Sequence, residues 1–255
     1  MALQEEFTSQ GQWLFRYRGT APLIMLIAGL AVYLHGKIDP PLHSEGAGLQ
    51  EMYVELICLA VSIAGLGVRI YTVGHTPKNT SGRNVKKQVA DVLNTTGSYS
   101  VVRHPLYVGN FLMWLGPALL TGNMWFIAVF TLLYWLYYER IMFAEEQYLR
   151  KKFGESYLTW SEKVPAFMPR FGRFKKSDMP FSWRKIVLKE KNGLAAMFVV
   201  FLIFDVAGEL IRNRSDFNWV FIVGAAVSTL LYIVLTLIKR RTNWLNLKPA
   251  QDRTK

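Results

Sequence analysis

Six long apolar segments, separated by polar and basic stretches, constrain this chain of 255 residues more than any other feature. A helix that spans a bilayer needs about 20 mostly apolar residues, with about 17 as the lower limit. The first and third segments are shorter. Each must therefore tilt little from the membrane normal, include flanking residues in the span, or enter and leave the bilayer on the same side. The segments are residues 22–35, 52–73, 106–121, 124–143, 194–211 and 217–238. They predict an all-α, polytopic membrane helix bundle with about six transmembrane segments.

The distribution of positive charge predicts the orientation of this bundle. Of the 30 lysines and arginines, 25 lie in the N-terminal stretch, the 74–105 loop, the 144–193 stretch and the tail after residue 238. Three lie in the connections on the opposite side. Cytoplasmic loops of membrane proteins carry an excess of this kind. We therefore expect both termini and both long loops to be cytoplasmic.

Composition argues against several other classes of protein. The chain is 51% apolar and carries a net charge of +12, which suits a bilayer protein whose basic loops face an anionic leaflet better than a soluble domain. The positive charges lie between apolar runs rather than along one face, so we expect no nucleic-acid partner. Cys58 is the single cysteine, so neither a disulfide nor a thiolate metal site can form within one chain, and we expect no metal.

The stretch VVRHPLYVG, residues 101–109, places two cationic side chains directly before an apolar segment. Pro105 suits the first position of a helix, because the amide that it lacks would be unpaired there. The free amides of the first turn, reinforced by Arg103 and His104, would form an anion site for a carboxylate or phosphate. The alternative is an interfacial Arg-His pair that meets lipid headgroups.

An acidic pair, Glu145 and Glu146, follows the fourth apolar segment in the stretch FAEEQYLRKKFGESY. The spacing predicts that the helix continues through this pair and stops at residues 153–154, where a glycine can cap it. Adjacent carboxylates just inside the interface would suit a cationic or polyhydroxyl ligand. The alternative is a solvated helix face on which Glu146 pairs with Arg150, four residues later.

The order RHPxYxG followed by EExxLxxxFGxxYxxxxxxVP resembles the isoprenylcysteine carboxyl methyltransferase family and its bacterial and archaeal relatives. The resemblance covers roughly residues 84–169, about a third of the chain. It implies an all-helical membrane methyltransferase that uses S-adenosyl-L-methionine, here in a bacterial inner membrane. It divides the chain into N-terminal helices with a basic loop (1–83), a methyltransferase core (84–175) and a C-terminal helix pair with a basic tail (176–255).

The resemblance also implies which residues bind the cofactor and which act on the acceptor. The expected cofactor-binding residues are Asn84, Asp91, Val92, Leu93, Asn94, Tyr99, Arg103, His104, Pro105, Leu106, Tyr107 and Glu145. The expected catalytic residues are Arg140, Glu146, Arg69 and Arg83. The family commonly has an arginine four residues before the first glutamate, whereas Arg140 stands five before Glu145. On a straight helix, Arg140 therefore lies about 140° around the helix axis from Glu145 instead of about 40°. Arg69 and Arg83 are the alternative candidates for the arginine that meets the acceptor.

The expected partners are the bilayer itself and a membrane lipid or lipidated substrate. A carboxylate or phosphate acceptor is ionised at neutral pH, whereas an amine needs a base to remove its proton, which favours an oxygen acceptor. Alternatives are a phospholipid amine N-methyltransferase, a membrane sterol or enoyl reductase, and a non-catalytic transporter or lipid-binding protein. Asp205 and Glu209 share one face of the fifth segment and should face protein or the outer interface rather than lipid.

Overall fold

Helices account for nearly all regular structure in this chain. The computed structural model describes residues 2–38, 48–77 and 90–241. Within these ranges there are eight α-helices, two short 3-10 turns and no strand, so the predicted all-α class is confirmed. The α-helices are α1 (Leu3–Arg16), α2 (Ala21–Ile38), α3 (Gly48–Gly74), α4 (Pro105–Leu120), α5 (Met124–Phe153), α6 (Glu155–Ser161), α7 (Trp183–Ile211) and α8 (Trp219–Arg241). The turns are Ser98–Ser100 and Phe171–Arg173.

Four described helices are long and apolar enough to cross a membrane: Gln50–Gly74 within α3, α5, α7 and α8. The apolar parts of α2 and α4 are shorter, as the sequence predicted for the first and third segments. At 1.5 Å per residue, α4 is about 24 Å long against a hydrocarbon core of about 30 Å. Six complete crossings and the cytoplasmic position of the termini therefore remain predictions.

Local sequence determines where α4 and α5 begin and end. Pro105 occupies the first turn of α4, as predicted. The side chain of Asn123 caps α5 by accepting a hydrogen bond from the Phe126 amide at 2.9 Å. At its other end α5 stops at Gly154, whose φ of +52° favours glycine, so the predicted stop is confirmed. The acidic pair therefore lies near the end of a continuous helix of 30 residues.

Close glycine contacts bring α3 and α4 together. A Cβ added to Gly65 would lie 2.5 Å from the carbonyl oxygen of Gly109, so the two backbones approach directly. The Ser62 hydroxyl on α3 donates to the Met113 carbonyl on α4 at 2.9 Å. Because α3 also packs against α7, these contacts hold the start of α4 within the centre of the bundle.

Helix α1 was not among the predicted segments. It lies along the last part of α5, where the Tyr137 hydroxyl donates to the Leu14 carbonyl at 2.9 Å and the Arg140 guanidinium lies 3.5 Å from the centre of the Phe7 ring. A Cβ on Gly11 would come within 2.1 Å of the Arg140 carbonyl oxygen, so only glycine allows this approach. The helix covers the side of α5 on which Arg140 lies.

Asp205 and Glu209 belong to a polar network near the C-terminal end of α7, away from the acidic pair on α5. Both side chains are buried. Asp205 accepts from the Asn218 amide at 3.0 Å, and Glu209 accepts from the Asp216 amide at 3.2 Å. The prediction that these two carboxylates face protein is confirmed.

Candidate functional site

The segment after α6 holds the Arg-His turn in place. The backbone amide of Arg103 donates to the Pro165 carbonyl at 2.8 Å, and that of His104 donates to the Ala166 carbonyl at 3.2 Å. In the opposite direction, the Arg170 amide donates to the Val101 carbonyl at 3.0 Å. The end of the second motif and the residue after it therefore bind the backbone of the first motif.

His104 lies between the two glutamates of α5. Its Nε2 is 3.0 Å from Glu146 Oε1, and its Nδ1 is 3.5 Å from Glu145 Oε2. The histidine is buried, with 7% of its surface exposed. Burial alone lowers the pKa of His104, but the hydrogen bonds and charges of the two carboxylates outweigh it and raise the pKa above its ordinary value. The two carboxylates therefore favour the protonated form of the ring.

Arg103 completes an ion cluster with His104, Glu145 and Glu146. Its Nε lies 3.0 Å from Glu146 Oε1, and its Nη1 donates to the Ser161 carbonyl at 3.0 Å. Two positive and two negative side chains thus meet in one place. The Arg-His pair was predicted to bind an anionic ligand and the acidic pair a cationic or polyhydroxyl one, whereas in the structure the two pairs contact each other directly.

Tyrosines form the inner wall of this cluster. The Tyr107 hydroxyl donates to Glu145 Oε1 at 2.8 Å, and the Tyr107 ring stacks on His104 with centroids 5.7 Å apart. The Tyr134 hydroxyl donates to the Tyr107 carbonyl at 2.9 Å, and the Tyr138 ring lies 4.8 Å from the Tyr107 ring. The wall is rigid because each ring is fixed by a hydrogen bond or by another ring.

Tyr99 and Tyr157 lie on the side formed by the loop and α6. The Trp160 indole donates to the Tyr99 carbonyl at 3.2 Å. The Tyr157 hydroxyl is buried beside the Glu146 carboxylate, although the contact between them lacks the geometry of a standard hydrogen bond. Burial and then the neighbouring Glu146 carboxylate raise the pKa of Tyr157, and burial and then Glu145 raise the pKa of Tyr99. Both hydroxyls are therefore neutral donors close to the acidic pair.

Other expected cofactor-binding residues have weaker links to the cluster. Asp91 and Val92 are exposed, and Leu93 and Asn94 are partly buried. Within the described part of the chain, no hydrogen bond or ion pair joins these four to Glu145 or Glu146. Pro105 is buried and Leu106 is partly buried in the first turn of α4, directly after His104. Arg83 and Asn84 lie outside the described residues.

The two described candidates for the acceptor-binding arginine face different directions. Arg140 pairs with Glu139 at 2.9 Å and faces α1, so the structure does not bring it to the ion cluster. Arg69 faces the bundle interior and binds Glu190 on α7. It also donates to the Asn110 side chain on α4. This arrangement agrees with the rotation expected for an arginine five residues before Glu145.

Sequence reasoning did not identify Tyr157, Asn110 or Glu190 as residues of this region. Tyr157 stands in the FGxxY element of the second motif and could have been found there. Glu190 lies among charged residues just before the fifth apolar segment, so it resembled a solvated linker, but α7 begins at Trp183 and includes it. Asn110 follows the glycine of RHPxYxG, and no pattern in the sequence distinguishes it.

The Arg-His turn before α4 and the paired glutamates on α5 both lie within the stretch that matches a known family. Residues 54–156 match the phospholipid methyltransferase family. The chain is 39% identical to the protein-S-isoprenylcysteine O-methyltransferase of Schizosaccharomyces pombe over 84 residues, which are 33% of this chain and 36% of that protein. The predicted resemblance is confirmed for this region.

Two bacterial relatives are similar over a longer stretch. The nickel-cobalt-cadmium resistance protein NccN of Alcaligenes xylosoxydans xylosoxydans is 33% identical over 46% of this chain and 54% of its own length. The cobalt-zinc-cadmium resistance protein CzcN of Cupriavidus metallidurans is 34% identical over 46% of this chain and 52% of its own length. The chain thus spans between about a third and just over half of the length of these three relatives. No solved structure matches it.

Proposed function

We propose that this chain is an integral membrane methyltransferase that moves a methyl group from S-adenosyl-L-methionine to an oxygen of a lipid or lipidated substrate at the cytoplasmic interface. The observation that carries the proposal is the ion cluster, in which the two motifs of the resemblance meet through His104, Glu145 and Glu146. The names of several relatives, which describe methylation of isoprenylcysteine, support the same reaction class.

The charges of the cluster suit the amino-acid part of the methyl donor. The cluster is neutral overall, and a zwitterion adds no net charge to it. A ligand carboxylate can take the place of Glu146 beside Arg103 and His104, while the ligand ammonium takes the carboxylate that is released. Tyr157 supplies a buried hydroxyl beside Glu146, from which a ribose or carboxylate oxygen of the ligand would accept a hydrogen bond. The residues present therefore fit this group.

The protein contributes position, charge and exclusion of water to the transfer. The donor supplies a methyl group on a sulfonium cation, whose charge is lost as an anionic oxygen attacks. Such a step is favoured where water is excluded, and alignment of the two reactants supplies much of the remaining advantage. The buried wall of Tyr107, Tyr134 and Tyr138 excludes water on the bundle side. An acceptor would enter from the bilayer and the donor from the cytoplasm.

The acceptor end of the site is assigned to Arg69, with Glu146 on the donor side. Arg69 donates to Asn110, which lies three residues after Tyr107 on α4, and Tyr107 donates to Glu145 in the cluster. A guanidinium can hold a carboxylate or phosphate oxygen with paired hydrogen bonds. Arg140, on the α1 side, is the less favoured candidate.

Binding of S-adenosylhomocysteine to the purified protein in detergent tests the donor site. Isothermal titration calorimetry should show binding by the wild type and a loss of affinity of about tenfold or more for His104→Ala and Glu145→Ala, because each removes a charge-assisted contact. Glu155→Ala, at an exposed glutamate on α6, is the matched control and should bind normally. A folded wild type that does not bind this ligand would overturn the proposal.

A phospholipid amine is the second candidate acceptor, because the matching family is described as phospholipid methyltransferase. The two candidates give products of different chemistry. A methyl ester on a carboxylate releases methanol in mild alkali, whereas an N-methyl group is stable. Membranes labelled with a radioactive methyl donor, extracted and treated with alkali, would therefore show volatile label for a carboxylate and retained label for an amine.

A further inference from the structure

One largely buried ion pair connects α7 to the region that matches the family. Arg69 on α3 donates from Nε to Glu190 Oε2 and from Nη2 to Glu190 Oε1, both at 2.8 Å. Glu190 lies on α7 and is 3% exposed. The Arg69 Nη1 donates to Asn110 Oδ1 on α4. The guanidinium therefore joins three helices, of which α7 lies outside residues 54–156.

A continuous series of contacts leads from this pair to the ion cluster. Asn110, which accepts a hydrogen bond from Arg69, lies three residues after Tyr107 on α4, so the two residues share one face of that helix. The Tyr138 ring packs against Tyr107, with centroids 4.8 Å apart. Tyr107 in turn donates to Glu145 at 2.8 Å. The Arg69 guanidinium and the proposed donor site thus share one wall of aromatic residues, with Arg69 on the side of the bundle interior.

The geometry of the pair fixes the plane of the guanidinium. Two parallel hydrogen bonds to one carboxylate hold an arginine more firmly than a single contact does, and a buried arginine without a counter-ion would be costly. Arginine has five N–H donors, of which the bonds to Glu190 and Asn110 occupy three. The other two N–H groups point from Nη1 and Nη2, and an anionic oxygen can accept from them.

We propose that Glu190 is a positioning residue that holds Arg69 towards the methyl acceptor, so that α7 completes the acceptor end of the active site. This inference rests on the proposed function. It gives α7 a role that the family region alone does not supply, because the counter-ion of Arg69 comes from outside that region. Glu190 itself acts through Arg69 and not on the substrate.

Steady-state methyl transfer separates this role from a structural one. The assay uses full-length protein in lipid nanodiscs, S-adenosyl-L-methionine with a labelled methyl group, and an S-isoprenylated cysteine with a free carboxylate as the probe acceptor. Glu190→Gln keeps the size of the side chain but removes its charge, and Glu190→Asp keeps the charge but shortens the reach. Glu162→Gln, at an exposed glutamate after α6, is the matched control.

We expect Glu190→Gln and Glu190→Asp to raise the KM for the acceptor by about tenfold or more, because Arg69 loses its fixed orientation. The affinity for S-adenosylhomocysteine should stay within about twofold of wild type, because the donor site keeps its own ion cluster. The exchange of Arg69→Glu with Glu190→Arg should recover thermal stability but not the acceptor KM. The aspartate variant keeps the test valid if the glutamine variant does not fold.

Three results would overturn the inference. An unchanged acceptor KM in both Glu190 variants would show that the pair does not position Arg69. Recovery of the acceptor KM together with stability in the exchange variant would show that the pair only ties α3 to α7. A wild type that binds S-adenosylhomocysteine but methylates neither the probe nor a membrane lipid extract would remove the acceptor role of Arg69. Failure of the proposed function is a different result, namely a wild type that does not bind S-adenosylhomocysteine.

Discussion

Protonation of His104 should make the stability of this protein depend on pH. Burial alone lowers the pKa of His104, but its hydrogen bonds and ion pairs with Glu145 and Glu146 outweigh burial and raise the pKa above the ordinary value of 6.5. Since the folded-state pKa is the higher one, the charged ring stabilises the fold fully below the unfolded-state value. That stabilisation is lost as the pH rises through the folded-state pKa.

The contacts of His104 give the size of the effect. The ring has one hydrogen bond of 3.0 Å to Glu146 and a longer contact of 3.5 Å to Glu145. A hydrogen bond to a charged group contributes about 1.5–3 kcal/mol to the free energy of unfolding. In a protein of this size, 1 kcal/mol shifts the melting temperature by about 2–4 °C. His104→Gln should therefore lower the melting temperature by about 3–12 °C near pH 6 and by much less near pH 9.

Thermal denaturation of the detergent-solubilised protein, followed by tryptophan fluorescence from about pH 6 to pH 9, measures this difference. His35→Gln, at an exposed histidine on α2, controls for the effect of pH on the micelle and on the rest of the fold. A difference between wild type and His104→Gln that is constant across this range, or that increases with pH, would refute a protonated His104 in the folded protein.

Two further substitutions test the wall of the site and the packing behind it. Tyr107→Phe removes the hydrogen bond to Glu145 and should weaken S-adenosylhomocysteine binding by about threefold to tenfold in calorimetry; unchanged affinity would show that this bond does not orient the carboxylate. Gly65→Ala should lower the free energy of unfolding by about 1–3 kcal/mol in denaturation experiments, because its Cβ would lie 2.5 Å from the Gly109 carbonyl oxygen. An unchanged free energy of unfolding would mean that α3 and α4 can move apart to admit the Cβ without loss of stability.

Sequence predicted well those features that local rules determine. The start of α4 follows from Pro105, and the end of α5 follows from Gly154, because each residue has a backbone preference that acts within one turn. Helix α1 was missed because its average hydropathy is low and its apolar residues recur only at helical spacing. Its position depends on Gly11 and on the surface of α5, which no local rule describes.

Contacts between helices distant in sequence could not be predicted in the same way. Helical spacing shows that Arg69 lies near the end of an apolar segment, but not which helix supplies its counter-ion. Glu190 stands 121 positions later, in a stretch that reads as a charged linker. The pairing is determined by the packing of α7 against α3, and this depends on the whole bundle rather than on either segment.

The direct contact within the ion cluster shows most clearly what a sequence leaves out. The motifs indicate which side chains lie near one another, but not the distances between them. Opposite charges that are partly buried together pair directly, because a buried charge without a partner is costly. A ligand that carried only a carboxylate would displace Glu146 and leave that side chain without its cation. A ligand that carried only an ammonium would leave Arg103 and His104 without an acid. A zwitterion avoids both costs, because each of its charges replaces one partner of an existing pair, and the net charge of the cluster stays at zero.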